Sequence, residues 1–189
     1  IGRTSEYCRL AATKLWQREA HPEKINASFI ENITKASPLH DIGKVGIPDR
    51  ILFKPGRLDD EEFFLMKEQP AIGHRIAQVA PDLHPIAESI LRHHEWWDGS
   101  GYPQGLAGDA IPISARLMAV ADVYDALISR RVYKPGMPHE EAVDIIRQGG
   151  GWHFDPDICA AFLSAAEQFK AIAERFSDHE QDIKGKTPC

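Results

Sequence analysis

Helical periodicity dominates this sequence and limits the folds open to it. In the opening segment Cys8, Ala11 and Leu15 share one apolar stripe, and a second stripe starts near Asn26. No segment shows the sustained alternation of apolar and polar residues that marks a half-buried strand. The sequence therefore predicts an all-α fold.

The composition is that of an ordinary globular protein. The 189 residues are 43% hydrophobic and 26% charged, which suits one domain with a substantial core. The net charge of −6 argues against binding to a nucleic acid polymer, because that affinity depends on summed Lys and Arg. No apolar run has the length of a membrane span, and the three cysteines form no CxxC pair. We expect a cytoplasmic protein without a membrane span.

Two helical stripes lead directly to histidines. The stripe of Phe29, Ile33 and Ala36 reaches His40 at its next step, and Gly43 suits the C-terminus of that helix. In the same way, a later stripe places a histidine pair on the inward side at the end of its helix; its members are Ile86, Ile90, His93 and His94.

Loops and further helices follow from local signals. Asp59 and Glu62 predict a capping box for a helix that carries Phe63 and Met66, and Pro70 should end or kink that helix. The segment 98–112 has four glycines and two prolines and predicts a loop. The following helix is apolar on nearly every face and is expected at the centre. A last long helix carries one stripe of Ile158, Phe162, Ala165, Phe169, Ile172 and Phe176, followed by a polar, frayed tail.

Three places combine metal-ligand chemistry with predicted burial. They are His40-Asp41, His93-His94 and Asp122, and a buried charge needs a partner. Each has a simpler explanation: a capped helix end with a solvated aspartate, one buried and one exposed histidine, and a carboxylate paired with an arginine. Taken together, they predict a mixed nitrogen and oxygen site that suits iron or manganese better than a structural zinc site. Such a site activates water and neutralises charge on phosphorus.

Long motifs in this order resemble one family. The segments HDIGKVGIPDRILFKPG, HHEWWDGSGYPQGLAGDAIP and ARLMAVADVYDAL, followed by RVYK and FDP, are similar to the HD-GYP family, a bacterial branch of the HD phosphohydrolases. The similarity runs from about Arg3 to about Phe162. It implies an HD-domain-like helical bundle with a Gly/Pro-rich GYP loop. It also implies hydrolysis of the bacterial second messenger cyclic di-GMP to pGpG or GMP at a centre of two or three metals.

The resemblance assigns metal ligands residue by residue. His40 and Asp41 match the pair that names the family, with Asp41 as the expected bridging carboxylate. His93 and His94 match its paired histidine ligands, and Asp122 matches its last aspartate ligand.

The resemblance also implies substrate contacts. Lys44 would contact a phosphate oxygen as a point charge and assist catalysis beside Asp41. Tyr102 of the GYP triplet offers an aromatic face and a hydroxyl group. Arg131 and Lys134 match guanine and phosphate contacts, and Asp125 lies near enough to join them. The alternatives are two surface cations and a helix ion-pair partner.

Two departures from the family pattern bear on activity. The family usually has a histidine at the position of Gln69, and a neutral amide oxygen is a weak ligand, so a second metal is expected to bind poorly or not at all. His74, five residues on, faces elsewhere on its helix. The family also carries an ExxxH pattern just before the segment that resembles IGRTSEY. We therefore expect the natural chain to continue upstream, with a receiver or other sensory domain.

These observations predict a metal-dependent cyclic di-GMP phosphodiesterase. The HD-GYP domain is expected at residues 1–176, followed by a polar tail at 177–189. Diguanylate cyclases and a second copy of the chain are further expected partners. One alternative is a degenerate module that binds cyclic di-GMP or a protein and signals without cleavage. Another is a phosphohydrolase for a mixed cyclic dinucleotide.

Overall fold

The computed structural model describes residues 2–129 and 136–184, without the side chains at 82, 85 and 177–184. Within these residues it contains helices and no β-strand, which confirms the predicted all-α fold. The α-helices are α1 (Arg3–Gln17), α2 (Ala27–Ala36), α3 (Asp49–Leu52), α4 (Asp60–Met66), α5 (Gln69–Val79), α6 (His84–Arg92), α7 (Ile113–Ile128), α8 (His139–Gly149), α9 (Pro156–Ser164) and α10 (Ala166–Lys184). Short 3₁₀ helices lie at Ser37–Leu39, Ile42–Gly46, Pro81–Leu83 and Gly108–Ala110.

Local capping fixes where two helices near the site begin. The side chain of Asn26 accepts a hydrogen bond from the Phe29 amide at 2.9 Å, which starts α2. Asp59 and Glu62 form the predicted capping box of α4, and each carboxylate accepts the other residue's backbone N–H at 2.9 Å. A cap of this kind contributes about 1 kcal/mol to helix stability.

The larger hydrophobic core joins α1 with α7, α8, α9 and α10. The ring of Tyr7 stacks on Phe169 with centroids 5.1 Å apart, and it meets Tyr124 edge-on at the same distance. Each such pair contributes about 0.5–1.5 kcal/mol beyond the area it buries. Most of α7 is buried, as its apolar sequence predicts. The position of α7, and of Asp122 on it, is therefore set by the main core.

A smaller core joins α2, α5 and α6. Its buried members are Ala36, Ala77, Ile86, Ala87 and Ile90. The stripe predicted to carry the histidine pair inward is thus buried, and α6 delivers its C-terminal end towards α7. Elements of both cores line the cleft described below.

Two predictions of helix continuity are wrong. Pro70 neither ends nor kinks the helix of Phe63 and Met66, because α4 ends at Met66 and Pro70 lies in the first turn of α5. Proline is tolerated there, since its missing N–H would have no partner within the helix.

The last apolar stripe spans two helices rather than one. The helix is interrupted at Ala165, where φ is −120° and ψ is 13°, and this residue separates α9 from α10. The junction contains no Gly or Pro that would signal this break. α10 then continues to Lys184, beyond the boundary predicted for the tail. In residues 2–129 and 136–184 no helix is long and apolar enough to cross a bilayer.

Candidate active site

His40 and Asp41 lie between α2 and α3, where one 3₁₀ helix ends and the next begins. The Nδ1 atom of His40 is 2.6 Å from the carbonyl oxygen of Ser37. Since a carbonyl only accepts, Nδ1 carries the hydrogen. The other ring nitrogen, Nε2, faces carboxylate oxygens of Asp41 and Asp122, each 3.4 Å away.

His93 repeats this arrangement at the end of α6. Its Nδ1 atom is 2.8 Å from the carbonyl oxygen of Ile90 and donates to it. The His93 ring lies edge-on to that of His40, with centroids 5.3 Å apart. The ring of His94 is 4.0 Å from that of His93. The end of one helix therefore brings two successive imidazoles to the same place as His40.

The Nε2 atoms of His40 and His93 are buried, and among the described residues neither has a hydrogen-bond partner. Such an atom costs roughly 1–3 kcal/mol unless something else satisfies it. Metal-binding histidines commonly donate one ring N–H to a backbone carbonyl and leave the other nitrogen for the metal. Two imidazoles of this kind, beside the carboxylates of Asp41 and Asp122, fit a divalent metal that accepts nitrogen and oxygen ligands.

The ligand atoms are near one another without forming a complete shell. Within the described part of the chain, no three His, Cys, Asp or Glu side chains are arranged to hold an ion as they stand. One oxygen of Asp41 is 2.5 Å from the Lys44 ammonium. The 3.4 Å contacts of His40 are longer than hydrogen bonds and are contacts between charges. The fit to a metal therefore depends on two ring nitrogens without a hydrogen-bond partner in the described part of the chain and on the carboxylates beside them.

The carboxylates dominate the electrostatics of this site. Burial alone lowers the pKa of His40, but Asp122 and Asp41 outweigh burial and raise that pKa to about 10. At His93 burial lowers the pKa to about 3, with a further contribution from the neighbouring histidines. His93 is therefore neutral at physiological pH, the form in which imidazole binds metals. The attraction that holds a proton at His40 acts on any cation placed there.

The GYP loop places an aromatic ring over the histidine pair. The Tyr102 ring stacks on the His94 ring with centroids 4.9 Å apart, and the Tyr102 amide donates to the His94 carbonyl at 3.2 Å. Burial raises the pKa of the Tyr102 hydroxyl to about 12, so this group remains a hydrogen-bond donor.

Two residues hold this loop against the site. A Cβ atom at Gly101 would lie 2.6 Å from the His94 carbonyl oxygen, so only glycine permits this approach. Glu95 is buried, and its carboxylate accepts the backbone N–H groups of Gln104 at 2.7 Å and Leu106 at 3.0 Å. The residue directly after the histidine pair thus anchors the loop that covers it.

Gly43 allows the HDIGK segment to pack directly on α5. A Cβ atom at this position would lie 1.9 Å from the Gln69 carbonyl oxygen and 2.6 Å from the Gly73 nitrogen. The prediction that Gly43 ends a helix is wrong, because it lies inside the 3₁₀ helix Ile42–Gly46. The glycine is needed for close approach between backbones.

The predicted metal ligands and the GYP loop border a cavity of about 520 Å³. Its size suits a nucleotide-sized ligand. The lining combines carboxylates, cations, imidazoles and a few apolar groups; its members include Arg3, His40, Asp41, Lys44, Leu52, Met66, Gln69, His94, Tyr102, Asp122 and Asp125.

Comparison with known proteins identifies the family. The model of the HD domain matches residues 3–158. This chain belongs to the HD domain family. A cyclic di-GMP phosphodiesterase of Vibrio cholerae is 51% identical over 185 residues, which cover 94% of this chain and 38% of that protein. A 3′3′-cGAMP-specific phosphodiesterase 2 of Vibrio cholerae is 40% identical over 180 residues, which cover 94% of this chain and 33% of that protein.

Solved structures support the fold of this HD domain. An HDG"Y"P protein from Bdellovibrio bacteriovorus matches with a TM-score of 0.62 at 20% identity, over 87% of this chain and 51% of that one. The predicted membership of the HD-GYP family is confirmed. The chain spans about a third to two fifths of the length of these two curated relatives.

Most of the predicted site residues meet in this HD domain. Seven of them line the cavity, and His93 lies against its wall beside His40; the seven are His40, Asp41, Lys44, His94, Tyr102, Asp122 and Asp125. Arg131 and Lys134 lie outside the described residues, so their substrate contacts stay predictions. Among residues 2–129 and 136–184, the charged contact of Asp122 is with His40, and no arginine of these ranges pairs with it.

Gln69, which replaces the histidine usual in the family, is part of the cavity wall. Gln69 is 2% exposed, and its Nε2 atom donates to the backbone carbonyl of His40 at 3.1 Å. It therefore supports the backbone of a predicted ligand. His74 lies on another surface, 3.5 Å from the Glu88 carboxylate, as its spacing on the helix predicts.

Sequence reasoning missed Arg3, and it grouped Glu95 with the metal-ligand chemistry of His93-His94 rather than predicting that Glu95 anchors the loop. Arg3 lines the cavity from α1 and forms an ion pair with Asp125. A signal for it exists: Arg3 is four residues before Tyr7 and eight before Ala11, on a stripe that is buried in the structure. Glu95 carries no such signal, because its partners are backbone amides of a loop.

Proposed function

We propose that this HD domain hydrolyses the phosphodiester bonds of cyclic di-GMP to pGpG or GMP. One observation carries the proposal: the buried Nε2 atoms of His40 and His93, which have no hydrogen-bond partner among the described residues, lie in one site with the carboxylates of Asp41 and Asp122. HD-domain phosphohydrolases use divalent metals. The names of relatives as cyclic di-GMP phosphodiesterases support the choice of substrate.

Each side chain has a chemical role in this proposal. His40, Asp41, His93, His94 and Asp122 would hold the metal, and iron or manganese suits their mixed donors. The metal, when bound, supplies Lewis-acid activation of water and of the phosphate.

The remaining side chains would act on the substrate itself. The Lys44 ammonium binds a phosphate oxygen as a point charge. Tyr102 offers its ring face to a base or ribose and its hydroxyl as a hydrogen-bond donor.

The proposal also covers the setting of the domain. Cys8 and Cys159 are buried free thiols, which supports a reducing compartment such as the cytoplasm. An upstream receiver or sensory domain, diguanylate cyclase partners, a homodimer and the domain boundary at residue 176 remain predictions.

The direct test is a hydrolysis assay with cyclic di-GMP and protein loaded with manganese or iron. We expect pGpG or GMP by chromatography, complete loss of product after chelation, and recovery when the metal is returned. Loaded protein that binds cyclic di-GMP by calorimetry without forming product would contradict the proposal and favour signalling without cleavage.

Gln69→His is expected to raise both metal stoichiometry and turnover of cyclic di-GMP. The imidazole adds a ligand where the amide now donates to the His40 carbonyl. A missing ligand should cost more than the roughly 10- to 100-fold of outer-shell changes, so we expect a gain of at least about 10-fold. The comparison uses protein that also carries the predicted upstream ExxxH segment. Gln17→His, on the exposed face of α1, is the matched control. Equal metal content and rates in Gln69→His and the parent would show that Gln69 is tolerated.

A further inference from the structure

The side chain of Glu95 joins the chain beyond the end of α6 to the GYP loop. Glu95 is 2% exposed, and each of its carboxylate oxygens accepts one backbone N–H of the loop. Oε1 accepts the N–H of Gln104 at 2.7 Å, and Oε2 accepts the N–H of Leu106 at 3.0 Å. A buried carboxylate costs free energy unless such donors satisfy it. Because both oxygens bind the loop, this side chain is not placed as a metal ligand, although it directly follows His94.

Other hydrogen bonds close the base of the GYP loop. Asp98 and Ala107 form an isolated antiparallel bridge, and the Asp98 carboxylate accepts the Ser100 amide at 2.8 Å. These bonds join residues near the two ends of the loop. The bonds of Glu95 differ from them, because they hold the segment that follows Tyr102.

The backbone of Tyr102 is fixed on both sides by Glu95. Before Tyr102, Gly101 packs so closely that a Cβ atom there would lie 2.6 Å from the Cα atom of Glu95. After Tyr102, the amide of Gln104 is held by the Glu95 carboxylate. Between these contacts the Tyr102 ring stacks on His94, with centroids 4.9 Å apart, and borders the cavity. Glu95 therefore restrains the loop where a side chain faces the substrate.

Such a restraint affects binding because the loop is intrinsically flexible. The segment 98–112 contains four glycines, and glycine loses more conformational freedom on ordering than any other residue. If a ligand must order the loop, its apparent affinity falls in proportion to the fraction of protein that already has the binding conformation. A contact that orders the loop beforehand removes this loss.

We propose that Glu95 is a positioning residue of this domain and acts on the substrate through Tyr102. Its carboxylate keeps the Tyr102 ring over His94 in the free protein, so the substrate meets a ring that is already in place. The inference rests on the proposed function and deepens it, because it assigns the order of the substrate-facing loop to one buried side chain.

The test is a double-mutant cycle in the metal-loaded protein, with Glu95→Gln made in the parent and in Tyr102→Ala. Glutamine keeps the size of the side chain, but its amide nitrogen only donates, so one loop N–H loses its acceptor. Glu88→Gln is the matched control, because Glu88 lies on α6 with its side chain 51% exposed and pairs with Arg92. Kinetics give KM and kcat for cyclic di-GMP, calorimetry gives the dissociation constant of the product GMP, and mass spectrometry gives the metal content.

We expect Glu95→Gln to raise KM for cyclic di-GMP and the dissociation constant of GMP by about 10-fold when Tyr102 is present. Metal content should not change, and kcat should change less than KM. Amide hydrogen exchange in residues 98–108 should become faster. In the Tyr102→Ala background the same substitution should change either constant by less than about 2-fold, since the ring that it positions is absent. Glu88→Gln should match its parent in both backgrounds.

Equal losses with and without Tyr102 would overturn the inference, because a purely structural role acts in both backgrounds. Unchanged KM and GMP affinity in Glu95→Gln would also overturn it, as would loss of metal, which would place the effect of Glu95 on the histidine ligands. If circular dichroism shows that Glu95→Gln is unfolded, the cycle uses Glu95→Asp, which keeps the charge but has a shorter reach to the two amides.

The same measurements separate this inference from the proposed function. A parent protein that binds GMP without hydrolysing cyclic di-GMP would contradict the proposed function alone, since the cycle in GMP affinity still tests the role of Glu95. Hydrolysis with equal losses in the two backgrounds would contradict this inference alone. A metal-loaded parent that neither binds GMP nor hydrolyses cyclic di-GMP would contradict both.

Discussion

Asp122→Asn is expected to remove bound metal and to reduce hydrolysis of cyclic di-GMP by more than about 100-fold, beyond the range of outer-shell changes. Asparagine keeps the shape of the side chain and removes its charge. The neutral amide loses the attraction that now acts across 3.4 Å on Nε2 of His40. It is also a much weaker ligand for iron or manganese. Metal content by mass spectrometry and product formation by chromatography measure the two effects.

The same substitution at Asp144 provides the control for Asp122→Asn. Asp144 is an exposed residue of α8 that pairs with Arg147 outside the cavity. We expect Asp144→Asn to keep metal content and turnover. Circular dichroism checks that both variants are folded. Full metal occupancy in Asp122→Asn would show that this aspartate is no ligand and would remove one support of the proposed metal centre.

Structural features that depend only on residues close in the sequence, such as buried helix stripes and helix caps, could be predicted. The stripe through Ile86 and Ile90 predicts that His93 points inward, and the structure buries all three. The capping box at Asp59 and Glu62 likewise depends on residues three positions apart. Periodicity and capping are local properties of a helix, so the sequence displays them directly.

Structural features that depend on residues far apart in the sequence could not be predicted from these local patterns. The need for glycine at residue 43 arises from the backbone at Gln69 and Gly73, which only the tertiary fold brings near. The position of the Arg3 side chain on the cavity wall depends on its ion pair with Asp125, which is 122 residues away in the sequence. The break at Ala165 carries no Gly or Pro signal, so its cause lies in packing rather than in local preference.

Arg116 also depends on residues that are distant in the sequence. Loss of its buried partner is expected to lower the free energy of unfolding strongly. Its side chain is 2% exposed and lies on α7, the helix of Asp122. The guanidinium is 2.6 Å from the Asp155 carboxylate, which is also 2% exposed, and 3.1 Å from the exposed carboxylate of Asp109. Asp155 also accepts the Asp157 amide at 2.8 Å and so caps α9.

Asp155→Ala is therefore expected to lower the free energy of unfolding by about 3–5 kcal/mol, because it leaves the Arg116 charge buried without its close partner and removes a helix cap. Chemical denaturation measures this loss. Asp109→Ala is the matched control: it removes the exposed partner of the same arginine and should cost far less, since exposed ion pairs contribute little. Equal losses in the two variants would mean that burial of the Arg116–Asp155 pair does not determine its contribution. With typical domain stabilities of about 5–15 kcal/mol, Asp155→Ala should also reduce the yield of folded protein.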